Sequence, residues 1–335
     1  MSVNPPQMLA VHVSQQHADK PLSIETCARP EIGAEEVLVK VRAFGVNRAD
    51  LAQRAGHYPP PAGESQILGL EVAGDVVAMG AAVDPSWQGR AVFGLVPGGG
   101  YAEYARLHLS HLMPISGTLD YVSAAASAEV FLTAYQALFH IGELAPASAA
   151  LVHAGASGVG TAAIQLAKAA GCRVAVTVGS DDKASACKAL GADLCVNYRD
   201  GDWSEVLSAA QPQGFSVIVD PVAGDYIAKD LQVLALDGRI VVLAMMGGRK
   251  IPELDLAVMF KKRGQLICST LRNRSNAYKA QLLAGFEQRF GALLRDGRLR
   301  PEIAKVLPWQ DISIAHQLLA TNAVVGKIVM TIDPQ

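Results

Sequence analysis

Residues 149–171 read AALVHAGASGVGTAAIQLAKAAG, and they decide the fold. Ala150-Leu151-Val152 is a short apolar run suited to a buried strand. The glycine-rich turn Gly155-Ala-Ser157-Gly158-Val159-Gly160 follows. Val159, Ala163, Leu166, Ala167 and Ala170 then fall on one face of a helix, and Gly171 stops it. Strand, glycine turn and helix in this order form the phosphate-binding corner of a dinucleotide fold. Glycines permit positive φ and remove the Cβ that would hold a pyrophosphate off the backbone. The helix start offers N–H groups with a dipole behind them. Against the pattern GxGxxG, Gly155 and Gly160 match the outer glycines. Ser157 replaces the middle one with a small side chain whose hydroxyl can bond phosphate.

From here onward strands alternate with helices. Arg173–Val178, Leu194–Tyr198, Val217–Asp220, Arg239–Ala244 and Gln265–Thr270 read as strands. Lys183–Leu190, Trp203–Ala210 and Tyr226–Leu236 read as helices, the last stopped by Asp237-Gly238. The alternation predicts a doubly wound parallel sheet covered on both faces, with the ligand crevice at the strands' C-terminal ends. Ahead of it, residues 1–125 are β-rich. Met8–Val13, Val37–Ala43, Glu71–Val77 and Arg90–Leu95 are strand-like runs separated by Gly and Pro clusters. A helical pattern from Ser123 to Gly142 bridges the two regions. Ala277–Leu294 is a further helix, and Ile303–Leu307 and Lys327–Ile332 are late strands that could return to the first region. The expected organisation is 1–125 and 273–335 in one β-rich domain and 126–272 in the α/β domain.

The composition narrows the function class. The chain has 335 residues, 50% of them hydrophobic, and a formal net charge of −2. No global positive field points to nucleic acid or to an anionic membrane. Five cysteines are scattered without a CxxC pair, as expected of free thiols in a reducing compartment. The N-terminus shows no basic segment leading into a long apolar one, and no long uncharged apolar run suggests a membrane span. A cytoplasmic location is therefore expected. The one basic concentration, Lys261-Lys262-Arg263 with Arg272 and Arg274, suits a solvated face or a phosphate contact better than nucleic acid.

The second strand bears on cofactor choice. NAD-specific folds place an acid about 20 residues past the glycine turn, on the ribose 2′-hydroxyl. Here that place holds Gly179-Ser180, which leaves room for a 2′-phosphate. Lys183 and Tyr198 could contact it by charge and by hydroxyl. Asp181-Asp182 runs against this, since a carboxylate facing the ribose would repel a phosphate. The expected cofactor is NADPH.

Further motifs agree in order along nearly the whole chain. Asn47-Arg-Ala-Asp50-Leu-Ala-Gln-Arg-Ala-Gly56-His-Tyr58-Pro-Pro-Pro61, Leu68-Gly-Leu-Glu71-Val-Ala-Gly74, Leu132-Thr133-Ala-Tyr135, His153–Gly160, Met246-Gly247-Gly248 and Val325-Gly-Lys327-Ile-Val329 are similar to segments of quinone oxidoreductases. These form the zinc-independent branch of the medium-chain dehydrogenase/reductase superfamily, and the tail looks most like its tumour-suppressor-inducible subgroup. The resemblance implies a GroES-like β-rich catalytic domain built from both chain ends, a central Rossmann domain, NADPH and a homodimer paired through Rossmann sheet edges. It also implies no metal. Asn47 lies in the segment where zinc-dependent relatives carry a Cys, Leu70 stands where they carry a His, and no Cys lies around Phe131–Thr133. His108-x-x-His111 is the only close His pair and reads as ordinary histidines.

Without a Lewis acid the substrate must accept hydride readily, as a quinone does. Asn47, Tyr58 and Thr133 are the candidate catalytic residues, through hydrogen bonds to the nicotinamide or the quinone oxygen. Tyr58 and Thr133 also count as cofactor contacts, with Gly155, Ser157, Gly158, Val159, Gly160, Gly179, Ser180, Lys183, Tyr198, Met246, Gly247, Ser269, Leu271 and Lys327. Met246–Gly248 and Ser269–Arg272, at the ends of sheet strands, are expected to flank the nicotinamide. The expected activity is NADPH-dependent reduction of ortho- or para-quinones. Reduction of α,β-unsaturated carbonyls is the alternative within enzymes. A non-catalytic NADPH-binding module, crystallin-like or RNA-binding, is the alternative outside them.

Overall fold

The computed structural model describes residues 6–14 and 19–332. The reading of the extreme N-terminus concerns in part residues 1–5, which lie outside the described residues. The chain forms two compact units. One takes the residues up to Glu129 and those from Leu271 onward; the other is the continuous stretch Val130–Thr270.

The first unit begins with β1 (Gln7–Val13) and β2 (Leu22–Ala28), an antiparallel pair. β3 (Glu36–Val46) then runs into α1 (Arg48–Ala55), followed by β4 (Glu71–Met79), β5 (Ala91–Leu95), β6 (Tyr104–His108), β7 (Leu112–Pro114) and α2 (Tyr121–Ala125). β3 is the spine. Val37, Val39, Val41, Phe44 and Val46 are each 0–2% exposed, and full burial stabilises each such side chain by about 1.5–3 kcal/mol.

α3 (Ala128–Tyr135) leads into the second unit and continues as wider π-type turns over Gln136–Ile141. There follow β8 (Ala149–Val152), α4 (Gly158–Ala169), β9 (Arg173–Val178), α5 (Asp181–Ala189), β10 (Leu194–Asn197), α6 (Trp203–Ala210), β11 (Phe215–Asp220), α7 (Tyr226–Val233), β12 (Leu234–Val242), α8 (Leu256–Lys262) and β13 (Gln265–Cys268). The strands are parallel, in the order β10-β9-β8-β11-β12-β13. That is the Rossmann order, with the switch point between β8 and β11. All four residues of β8 are buried, as a strand covered on both faces requires.

The chain then gives α9 (Asn276–Phe286), α10 (Ala292–Arg295), β14 (Ile303–Pro308), α11 (Ile312–Ala320) and β15 (Lys327–Thr331). β14 and β15 join the seven-stranded sheet of the first unit. Its order is β14-β15-β3-β4-β5-β7, with β6 also on β3. β15 pairs antiparallel with β3 and parallel with β14. The chain is thus α/β, with a GroES-like β-rich unit and a Rossmann unit.

Several elements differ from the sequence reading. The helix expected over Ser123–Gly142 is two helices. Ser127 bonds back, its N–H to the Ala124 carbonyl and its hydroxyl to Ser123 O, and so closes the first. Helix α7 stops at Val233, before the Asp237-Gly238 signal. Leu234 already pairs with Phe215, so tertiary pairing overrides local propensity. Asp237 then takes a positive φ of 59° inside β12, beside a register shift. α1 lay in a stretch read as β-rich.

Candidate functional site

The glycine turn is built as the motif requires, for a different reason than expected. Gly155 and Gly160 are not among the residues with positive φ; Ala154 is, at 53°. What the glycines supply is room. A Cβ on Gly155 would lie 2.5 Å from Val176 Cβ, and one on Gly160 would lie 2.5 Å from the carbonyl oxygens of Ala154 and Gly155. Ser157 caps α4, its Oγ accepting from Gly160 N at 3.0 Å. Gly158 and Val159 are the first two helical residues, whose N–H groups the helix's own ladder cannot use. Ser157 is exposed, and Gly158 and Val159 are half-buried.

Beneath the turn lies a network that sequence reasoning missed. His153 is 1% exposed and bonds Thr177 Oγ1 through Nδ1 at 2.8 Å and Asp230 Oδ1 through Nε2 at 2.7 Å. The rings of Trp203 and Tyr226 pack on it at 4.7 and 4.9 Å. Burial pushes the Asp230 carboxyl up to about 6, against the opposing pull of His153. A histidine after an apolar strand was the only signal of this cluster in the sequence.

The end of β9 brings Gly179 and Tyr198 together. A Cβ at Gly179 would meet Tyr198 Oη at 2.5 Å, and Tyr198 N donates to Val178 O at 3.0 Å. Ser180 caps α5, accepting from Lys183 N at 3.4 Å. Asp181 and Asp182 occupy the first turn of α5, where the helix dipole favours acids. Met246 is 47% exposed and Gly247 N donates to Val222 O at 2.7 Å. Ser269 follows β13; it is 5% exposed and its Oγ has no partner among the described residues. Because the strands are parallel, all these positions stand at one edge of the sheet, its C-terminal edge. Thr133 lies inside α3.

The first unit gathers a second group. Asn47 precedes α1 and is 9% exposed. Its Nδ2 donates to Glu71 Oε1 at 3.0 Å, and its Oδ1 accepts from Lys327 Nζ at 2.5 Å. Lys327 Nζ also donates to Glu71 Oε1 at 2.6 Å and to Val46 O at 3.0 Å. Lys327 was expected to contact the cofactor; here its three N–H donors go to Val46, Asn47 and Glu71, and it is 4% exposed. Asp50, fully buried, accepts from Asn47 N, Gly69 N and Tyr101 Oη at 2.8, 3.1 and 2.9 Å. Burial raises its carboxyl to about 6 against those bonds. Tyr58 stands beyond the other end of α1, about 12 Å of helix from Asn47. It is half-buried, and burial with Glu129 nearby pushes its phenol up while Arg272 opposes. Leu271, 5% exposed, adjoins Arg272.

Glu71, Glu129 and Lys279 belong to this group, and the sequence did not single them out as site residues. Arg272 belongs to it too, where the sequence placed it among the strand-end residues near the nicotinamide and in the basic concentration. Glu129 N donates to Glu71 Oε2 at 2.8 Å. Burial, then Glu71, raises the Glu129 carboxyl to about 7. Among the described residues no three or more His, Cys, Asp or Glu side chains are placed to hold a metal ion. His108 and His111 stack at 5.8 Å; His111 Nδ1 bonds Leu95 O at 2.9 Å and His108 Nδ1 bonds Ser110 Oγ at 2.9 Å. The basic concentration is largely spent on structure. Lys262 Nζ donates to the Gln232 and Leu234 carbonyls, and Arg263 pairs with Asp237.

A GroES-like unit and a Rossmann sheet with a built phosphate turn, in one chain, define an oxidoreductase that uses a nicotinamide cofactor. Residues 33–117 match the family described as alcohol dehydrogenase GroES-like domain, and residues 158–287 match zinc-binding dehydrogenase. The chain is 30% identical over 328 residues to a quinone oxidoreductase of Lama guanicoe, covering 96% of this chain and 97% of that one. It is 34% identical over 228 residues to prostaglandin reductase-3 of Mus musculus, covering 68% of this chain and 59% of the relative. The solved quinone oxidoreductase of Pseudomonas syringae pv. Tomato DC3000 superposes with a TM-score of 0.85 at 26% identity, over 97% and 99% of the two chains. The chain belongs to the medium-chain dehydrogenase/reductase superfamily.

Proposed function

We propose that this chain is a zinc-independent NADPH:quinone oxidoreductase. The observation that carries the reading is the Asn47–Lys327–Glu71 contact. The place where zinc-dependent relatives carry a metal-binding Cys here holds an amide bonded to a buried ammonium. Hydride transfer must then go to an acceptor that needs no Lewis acid, and a quinone is such an acceptor because its reduction aromatises the ring.

The residues fit a dinucleotide. Gly155, Ser157, Gly158, Val159 and Gly160 would hold the pyrophosphate, through the room the glycines leave and the helix-start N–H groups of Gly158 and Val159. Gly179, Ser180, Lys183 and Tyr198 would take a phosphorylated ribose. Thr133, Met246, Gly247, Ser269 and Leu271 would flank the nicotinamide, with the orphaned Ser269 hydroxyl offering a bond. When bound, the cofactor supplies the hydride. Tyr58 donates a hydrogen bond to the acceptor's oxygen as charge develops there, and Asn47, held at both ends of its amide, fixes the start of α1.

Two further readings follow. Among the described residues β13 ends the sheet with β12 on one side only, and α8, beside it in sequence, shows Leu256 and Phe260 65% and 87% exposed; both features support a homodimer across that edge. Five free cysteines, two of them buried, support a reducing, cytoplasmic location.

The test is NADPH oxidation by chelator-treated protein with ortho- and para-quinones beside enals and enones, NADH in parallel. Fast quinone turnover with NADPH preferred is expected. Turnover of enones alone would move the function to double-bond reduction. In the same assay Tyr58→Phe should lower quinone kcat/KM by about tenfold or more, one lost hydrogen bond in the transition state.

A further inference from the structure

Arg272 is a buried cation, 7% exposed, that the reaction outlined above does not use. Its guanidinium stays charged at any working pH, and taking it out of water costs several kcal/mol unless its donors are answered. Nε donates to Pro97 O at 2.6 Å, and Nη1 reaches Tyr58 O at 3.4 Å. Cζ stands 5.5 Å from the centroid of the Tyr58 ring, within cation–π range. Nη2 is buried with no partner among the described residues. A side chain at Gly98 would stand 3.3 Å from Nη2 and collide with the Ser65 carbonyl, so the guanidinium occupies a slot that glycine leaves open. The backbone of Arg272 is held in turn, its carbonyl accepting from buried Lys279 Nζ at 3.0 Å.

These contacts tie two loops of the first unit to one side chain. One loop carries Tyr58 after α1; the other is Pro97–Gly100 after β5. We propose that Arg272 is the positioning residue of Tyr58. It clamps the loop that bears the ring, and its charge over the ring draws electron density from the phenol and makes it a stronger hydrogen-bond donor to the acceptor's oxygen. The groups acting on the phenol are consistent with this. Burial and Glu129 push the Tyr58 proton to be held more tightly, and Arg272 is the one charge that opposes them. Arg272 itself faces Tyr58, Asp50, Glu129 and Glu64, so its charge is balanced within the cluster.

The inference rests on the role given to Tyr58, and the experiment separates the two. Arg272→Met, Tyr58→Phe and the double variant are compared in acceptor kcat/KM. The Tyr58 phenol is titrated as the ultraviolet difference between each protein that keeps Tyr58 and the same protein carrying Tyr58→Phe. Arg272→Met is expected to lower kcat/KM about tenfold when Tyr58 is present and little when it is absent, because clamped partners are non-additive. It is also expected to raise the phenol's titration midpoint. Additive losses with an unmoved midpoint overturn the inference. An inert Tyr58→Phe with a midpoint that still rises in Arg272→Met overturns only the catalytic role of Tyr58 and supports the coupling. If the Met variant fails to fold, Arg272→Lys decides: it keeps the charge and loses the fork, so the midpoint should hold while kcat/KM falls only in the presence of Tyr58. A fall that ignores Tyr58 sinks the clamp.

Discussion

The Lys327 ammonium lies 2.6 Å from the Glu71 carboxylate, with side chains 4% and 0% exposed. Neither charge reaches water, so each depends on the other. Lys327→Met leaves Glu71 buried and unpaired, and should cost about 3–5 kcal/mol in urea unfolding. The double variant Glu71→Gln with Lys327→Met, which removes both charges and keeps an acceptor for Asn47 Nδ2 and Glu129 N, should regain most of that loss. Equal destabilisation of the single and double variants would show that packing, not charge, governs the pair.

Gly160→Ala places a Cβ against two backbone oxygens that cannot rotate away. It should lower the melting temperature, by about 1–3 kcal/mol of stability. It should also shrink the extra stabilisation that a bound nicotinamide cofactor would give to the native state. Gly33→Ala, which meets only the Glu36 side chain at 3.4 Å, is the control and should do neither.

On the proposed NADPH reading, Gly179→Asp should invert cofactor choice. A carboxylate there would face the ribose and repel a 2′-phosphate, a like-charge contact that costs several kcal/mol. NADPH kcat/KM should fall by about 100-fold at low salt while NADH is kept. Equal losses with both cofactors would mean that the displaced Tyr198, rather than charge, is responsible.

Glu129 gives a pH signature of a definite sign. Its carboxyl is raised from its ordinary value near 4.5 to about 7, so the folded state keeps a proton that the unfolded chain releases. The stability from this group is full below pH 4.5 and is lost as pH rises towards 7. The difference between the native protein and Glu129→Gln should therefore decline across that window and be flat above it. His316 runs the other way. Burial, then Arg54, lowers it from 6.5 to about 3, so its share of stability disappears as pH falls below 6.5. Unfolding free energies of each variant from about pH 4 to 8 check both signs.

The Rossmann unit was legible because its strands are uninterrupted apolar runs and its turn needs particular glycines. The reason those glycines are needed was not: Ala154, not Gly155, takes the left-handed backbone, and only the packing of Val176 shows why residue 155 lacks a side chain. In the first unit Asn47 and Tyr58 stood out by motif, but what holds them did not. Lys327 reaches Asn47 across the sheet, and Arg272 reaches Tyr58 from far along the chain. Contacts of such sequence separation leave no periodicity to read. The Ser123–Gly142 run misled because its alanines suit a helix throughout, and the break comes from a hydroxyl folding back at Ser127. α1 carried its own signals, Asn47 before it and Gly56 after it at φ 89°, and short length hid it among strands.

β15 lies between β14 and β3, and it brings Lys327 to Glu71 from the far end of the chain. During synthesis every residue of the Rossmann unit has been made before this strand exists, so that unit has all it needs to fold early. The β-rich unit must wait with Glu71 uncompensated and the Ala43–Val46 stretch of β3 open beyond its pairing with β6, a strand edge that other chains can pair with. A chain interrupted between the Rossmann unit and Lys327 would therefore carry every strand of the parallel sheet joined to a β-rich sheet that still lacks the strand between β14 and β3.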